Sequence, residues 1–185
     1  SDLGVLKNRF SEPLEHVVGT VRFGSVDLHV GPGVFIPRQR SLLLARVAAE
    51  AIASRHVEQP VVVEAYCGVA PIAVAVADGT VGARIHAVDI DPTALDYARR
   101  NLPIDAHAHL GDGLSTLPRQ LRGAVDVIAA VPPYVPDGAV DLLPHETEHE
   151  PQAALLAGHE GLDHIRRLVA DAPIWLADGG ALLME

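Results

Sequence analysis

Hydrophobic positions in this chain change their period along its length, and the changes mark out elements. Residues 1–15 are polar, contain Pro13 and read as a lead-in. Between 17 and 30 apolar residues alternate on either side of Phe23-Gly24: Val17-Val18, Val21 and Phe23, then Val26, Leu28 and Val30. This spacing predicts a β-hairpin with a glycine turn, ended by Gly31-Pro32-Gly33. From Leu42 to about Arg55, Leu and Ala recur at helical spacing behind Ser41, a candidate N-cap. After Pro60 the pattern alternates. Val61-Val62-Val63 is a short apolar strand, Ala70 to Ala77 an apolar helix stopped near Asp78-Gly79, and Arg84 to Val88 a second strand. A helix follows from Pro92, well tolerated in a first turn, to about Asn101. Ala106 to Leu110 is a weaker strand, Val125 to Val131 a fourth, His164 to Ala172 a helix and Ala181 to Met184 a fifth strand.

Short apolar strands alternating with helices build a parallel sheet covered on both faces, so the fold class is α/β, a doubly wound Rossmann-like sheet preceded by a β-hairpin. Such sheets bind ligands beyond the carboxyl ends of their strands, where strand order reverses. That selects the loops at 64–71, 89–92, 111–113 and 131–136. A domain of this class continues with further sheet, so its C-terminal edge is expected beyond Glu185.

Composition and charge narrow the function. The chain has 185 residues, 49% hydrophobic and 21% charged, enough for one packed domain. Aromatics make up 4%, leaving the core to Val, Leu, Ala and Ile. The net charge of −10 argues against general nucleic-acid binding, which needs a basic stripe, although Arg38, Arg40 and Arg46 could form a local basic patch. The single cysteine, Cys67, excludes an internal disulfide and fits a reducing compartment. No apolar run reaches the ~20 residues of a membrane helix and no leader pattern is visible. A cytoplasmic protein is expected.

The loops carry the chemistry. In Glu64-Ala65-Tyr66-Cys67-Gly68-Val69-Ala70 an acidic residue ends a strand and small residues follow, as a nucleotide-like ligand requires for close approach to backbone. The acidic-x-Gly-x-Gly-x-Gly pattern is half kept, with Tyr66 and Ala70 at glycine positions. In Val88-Asp89-Ile90-Asp91-Pro92, Asp89 ends the next strand, where a carboxylate can accept both ribose hydroxyls, while Asp91 reads as a helix cap. Asp112, between Gly111 and Gly113, could contact a base amino group or belong to a plain turn. Val131-Pro132-Pro133-Tyr134 is a stiff strand exit with free carbonyls and one aromatic ring, a platform for a flat amide or amine. His145-Glu146-Thr147-Glu148-His149 matches a zinc-protease spacing, but Pro144 and Pro151 leave too little helix for it, and no metal site is expected.

Together these segments resemble the release factor glutamine methyltransferase (HemK/PrmC) family. The resemblance is carried by Glu12-Pro13-Leu14-Glu15, Phe35-Ile36-Pro37-Arg38, Ala87-Val88-Asp89-Ile90-Asp91-Pro92, Ala98-Arg99-Arg100-Asn101 and Val131-Pro132-Pro133-Tyr134. His149-Glu150-Pro151 with Leu155, Gly158 and Gly161-Leu162-Asp163 completes it. It implies a class I S-adenosylmethionine (SAM) methyltransferase domain over 36–185, with 1–35 a remnant of a substrate-binding N-terminal region. It further implies SAM as cofactor and N-methylation of a glutamine side-chain amide on a protein such as a peptide chain release factor. Glu64, Tyr66, Cys67, Gly68, Asp89, Ile90, Asp112 and Gly113 would bind SAM, and Val131, Pro132, Pro133 and Tyr134 the acceptor. The family motif is Asn-Pro-Pro-Tyr. Its Asn side chain accepts one bond from the amide and the next backbone carbonyl accepts the other, so catalysis is largely positioning. Val131 cannot accept that bond. A small-molecule methyltransferase and a methyltransferase fold kept for binding are the alternatives this departure opens.

Overall fold

A computed structural model describes residues 12–142 and 150–185. Its frame is a five-stranded, wholly parallel sheet in the order β5-β4-β3-β6-β7, with β3 Val61–Ala65, β4 Arg84–Asp89, β5 His107–Leu110, β6 Val125–Ala130 and β7 Leu176–Met184. Every residue of β3 and β6 is buried, as central parallel strands without a solvent face require. Strand order runs outward from β3 through β4 to β5 and restarts at β6, which places the switch point between β3 and β6. Register makes that point a site: Ala65 pairs with Val88 on one side and Ala130 on the other, so three strands end side by side.

Helices cover both faces. α2 (Leu42–Arg55), α3 (Pro71–Gly79) and α4 (Pro92–Asn101) bury Ala48, Ile72 and Leu95 against Val62 and Val127. On the other face α5 (Asp163–Trp175) buries Leu168, Ala172 and Trp175 with Leu114 and Leu121 against Val63 and Ile128. The hairpin, β1 (Thr20–Phe23) and β2 (Val26–His29), packs Phe23 and Leu28 with Val69, Val74 and Ala94 in a third cluster. Gly24 opens its turn at φ +59, which Gly adopts without a Cβ clash.

Two buried polar groups stitch the sheet. Asp126 accepts the Val61 N–H (2.8 Å) and Arg55 Nε (2.8 Å), joining β6 to the foot of β3 and to α2. At the β4–β5 edge His86 lies against both His107 and His109, ring centroids 5.0 and 5.3 Å away, with its Nδ1 3.0 Å from His109 Nε2. Burial, then the neighbouring imidazoles, push the His86 pKa down to about 4, which favours the neutral ring.

The structure corrects some boundaries. Val17 and Val18 are not in the hairpin but in a short helix, α1 (Leu14–Val18), which Pro13 precedes and Gly19 ends in the left-handed region, its N–H on Glu15 O at 2.8 Å. Ser41 occupies the N-cap position of α2 in helical conformation without a side-chain cap bond, because a 3-10 turn at Gln39–Ser41 already leads into the helix. α5 continues past Pro173 to Trp175; its last carbonyls, Ile174 and Trp175, accept the Gly123 and Ala124 N–H groups (3.1 Å each). β7 begins at Leu176 rather than Ala181, with a register shift opposite Val125–Val127 between Leu176 and Ala181. Among the described residues no helix is long and apolar enough to cross a membrane.

Candidate active site

The β3–α3 loop is built on an alternating backbone. Tyr66, Gly68 and Ala70 all lie in the left-handed region, at φ +53, +55 and +64. Alternation of this kind gathers successive N–H groups on one concave side. For Tyr66 and Ala70 the conformation costs about 1–2 kcal/mol each, since an L side chain there crowds its own carbonyl. The departures from glycine are thus confined to the side chains; the glycine-type path of the loop is kept. Ala70 stands at the N-cap of α3 with no capping side chain, and Glu64 compensates from below. Its buried carboxylate accepts the Ile72 (3.3 Å) and Ala73 (2.7 Å) N–H groups. Burial pushes the Glu64 pKa up to about 8 against the pull of those two bonds. Burial likewise raises the Cys67 thiol well above its ordinary value, which makes it a packing residue rather than a nucleophile.

Asp89 latches this loop to the next. One carboxylate oxygen accepts the Gly68 N–H at 2.7 Å and the other the Asp91 N–H at 2.9 Å. Burial raises its pKa, opposed by the same backbone bonds. With the Ile90 N–H also acting on it, the carboxylate keeps acceptor capacity for a ligand hydroxyl. Asp91 caps α4 through the Thr93 N–H at 2.8 Å. Asn101, unassigned by its chemistry in the sequence, holds the loop from behind: its amide bonds both backbone groups of His29 (2.7 and 3.1 Å) and Val69 O (3.0 Å), tying hairpin, α4 and loop together.

On the far side of the switch point Pro132 and Pro133 are buried, Val131 is half-buried against the α2–α3 core, and Tyr134 is exposed. The loop is clamped by the segment at 155–157: the Val135 N–H donates to Leu155 O (2.8 Å) and the Ala157 N–H to Val135 O (2.9 Å). Gly161 closes the clamp at φ +71, where an added Cβ would lie 2.4 Å from Tyr134 O. Tyr134 Oη accepts from Arg40 at 2.6 Å, and Arg40 Nε donates to Glu185 at 2.5 Å. Opposite, Arg38 donates to both oxygens of buried Glu150 (3.0 and 2.9 Å), and the Ile36 N–H joins them at 3.1 Å. Two motifs more than a hundred residues apart in sequence form one wall; the pairing has no local signal. Arg38 is thus ion-paired with Glu150 and Arg40 with Glu185, while Arg46 is exposed.

These walls enclose a cleft of ≈ 120 Å³ at the ends of β3, β4 and β6. Glu64, Tyr66, Cys67, Gly68, Asp89, Ile90, Val131, Pro132, Pro133 and Tyr134 line it, and so do Phe35, Arg38, Arg40 and Ser41, which sequence reasoning did not assign to it. Asp112 and Gly113 are not among its lining residues. Asp112 is ion-paired with Arg167 of α5, and its backbone carbonyl accepts from Ser115 at 2.8 Å, the turn behaviour that Gly-Asp-Gly also suggested. Tyr66 turns its ring edge-on to His164, 5.2 Å away; its hydroxyl is buried beside Gly113 without a hydrogen bond, and burial raises its pKa to about 12. The zinc-like stretch His145 to His149 lies outside the described residues, among which no group of three or more His, Cys, Asp or Glu is placed to hold a metal.

The chain matches no protein-family model. It is 40% identical over 175 residues to the release factor glutamine methyltransferase of Mycolicibacterium smegmatis, covering 94% of this chain and 61% of that protein. It is 36% identical over 178 residues to the 4-amino-L-phenylalanine/4-methylamino-L-phenylalanine methyltransferase of Streptomyces pristinaespiralis, covering 94% and 61%. It thus spans about three-fifths of the length of these relatives. Among solved structures the SAM-dependent methyltransferase from Agrobacterium tumefaciens aligns with a TM-score of 0.58 at 16% identity, over 89% of this chain and 51% of that one. That likeness shows the fold, the class I methyltransferase sheet.

Proposed function

Because the chain belongs by sequence to the release factor glutamine methyltransferase (HemK/PrmC) family, we propose that it is the SAM-binding, catalytic part of an N-methyltransferase. The observation that carries this reading is the glycine-type backbone at 66, 68 and 70, latched through Gly68 to Asp89 and opening into the cleft that ends at Val131-Pro132-Pro133-Tyr134. SAM fits the residues present. Asp89 at the end of β4 has acceptor capacity left for a ribose hydroxyl, and the bare loop offers backbone to the methionine part. SAM supplies an electrophilic methyl group; the protein's work is to hold the acceptor nitrogen in line with it and to exclude water. The Pro132 carbonyl and the Tyr134 ring would orient the acceptor. Engagement of Asp112 by the adenine would displace Arg167, an exposed pair that yields readily.

The acceptor that similarity favours is a protein glutamine amide, as on a release factor. A second reading, a small aromatic amine, is favoured by Val131 and by the name of the Streptomyces pristinaespiralis relative. Calorimetric titration of the full chain with S-adenosylhomocysteine (SAH) tests the shared premise. Saturable binding is expected, weakened roughly ten- to hundredfold by Asp89→Asn, which keeps one acceptor oxygen and turns an amide toward a backbone N–H. A wild-type chain that binds neither SAH nor SAM would overturn the reading, and binding without transfer to any acceptor would leave a fold kept for binding.

A further inference from the structure

We infer that His86, His107 and His109 form an acid-sensitive clasp on the edge strand: the cluster holds β5 to β4 while its imidazoles are uncharged and releases β5 when they take up protons. β5 is a four-residue edge strand whose one partner in the sheet is β4. His86 stands opposite His107 in the register and His109 opposite Val88, and the three rings share one face, with centroids 5.0, 5.3 and 6.3 Å apart. α4 packs on the opposite face, with Ala87 and Ala108. On the histidine face β3 presents Val61 and Val63, and the β5–β6 connection packs Leu114, Leu117 and Leu121 with those valines. The titratable and charged groups acting on His86 are His109, His107 and Arg84, and His107 acts on His109; each opposes a further positive charge.

Hydrogen bonding ties the clasp to the uncharged state. His86 Nδ1 lies 3.0 Å from His109 Nε2, a contact that needs one N–H and one lone pair. His86 Nε2 is buried and has no hydrogen-bond partner among the described residues. With its proton on Nδ1, neutral His86 donates to His109 and leaves only a bare lone pair at Nε2. A further proton upsets this wherever it is placed. On His86 it occupies Nε2, a buried N–H with nothing to accept it. On His109 it makes His86 Nδ1 the acceptor, which moves the His86 proton to the same Nε2. Either way a buried donor loses its water without gaining a partner. A second proton removes the bond and leaves two cations side by side. Release of β5 returns the rings to water, where His86 charges near its ordinary 6.5 rather than about 4. Closure of the clasp is therefore fully favoured above pH 6.5 and is lost as pH falls toward 4. Just past β5 the Gly111 N–H donates to Asp89 O at 2.9 Å, so release of the strand reaches the end of β4 that carries Asp89. The inference is independent of what the cleft binds.

Nitrogen NMR of the histidine rings and amide hydrogen exchange, both on the full chain, test the inference. At pH 7.5 neutral His86 is expected to carry its proton on Nδ1. Between pH 7.5 and pH 5 the protection of the β5 amides, corrected for intrinsic exchange, is expected to fall at least about tenfold, while protection in β3 and β6 changes by less than about threefold. His86→Phe, which fills the site and cannot ionise, is expected to abolish the acid-induced loss in β5. A neutral His86 with its proton on Nε2, protection of β5 that acid leaves unchanged, a loss shared equally by β3 and β6, or the same loss in His86→Phe would each overturn the inference. If His86→Phe does not fold, the wild-type tautomer and the confinement of the loss to β5 decide.

Discussion

Glu64 shows how a single residue can be legible in kind and hidden in role. An acidic residue ending the first strand was expected to face a ligand; it lines the cleft, yet its oxygens are spent on the Ile72 and Ala73 N–H groups that the Ala70 cap leaves open. With a folded pKa near 8 against 4.5 for a free carboxyl, the folded state holds its proton more tightly than the unfolded chain. Its contribution is therefore fully present below pH 4.5 and is lost as pH rises through 8. Urea midpoints should show Glu64→Gln, which cannot ionise, gaining on the wild type between pH 5 and pH 8. A constant difference across that range would mean the carboxylate stays ionised in its cage of N–H groups. The positions of Tyr66 and Ala70 were readable as departures from glycine, but their left-handed backbone was not, because side-chain identity alone argues against it.

At the scale of elements, period and punctuation located the helices and central strands, and local competition moved their ends. Val17 and Val18 alternate acceptably with Val21, yet Pro13 before them and Gly19 after them favour one helical turn. α2 ends on His56, exposed and at φ +53, where its N–H bonds Ala53 O. Here the strain serves no packing. His56→Gly should stabilise the chain by about 1 kcal/mol and raise the melting temperature by roughly 2–4 °C. An unchanged or lower midpoint would show that the unfolded-state entropy of the new glycine offsets the relief.

At the scale of the whole molecule the cleft depends on contacts between segments distant in sequence. Arg38 and Glu150 join the exit of the hairpin region to the chain just before the 155–157 clamp, with Arg38 Cζ 4.7 Å from the Phe35 ring centroid. Arg38→Met would leave Glu150 buried with its two guanidinium bonds gone, at a cost of about 2–3 kcal/mol and a melting temperature lower by roughly 5–10 °C. Melting within about 1 °C of the wild type would show that water or another partner replaces the arginine.

The sequence by itself determined the parallel α/β frame, because fully apolar strands and amphipathic helices encode burial locally and the alternation admits few topologies. It also marked the strand-end loops that line the cleft at 64–68, 89–90 and 131–134, since ligand loops in such a frame must follow strand ends. Only the tertiary structure decided that Glu64 caps α3, that Asp112 pairs with Arg167, that Asn101 and Glu150 brace the cleft walls, and that Val131 packs beside the α2–α3 core while lining the cleft. Those outcomes depend on which distant donor reaches a buried group first, and a linear pattern carries no record of that.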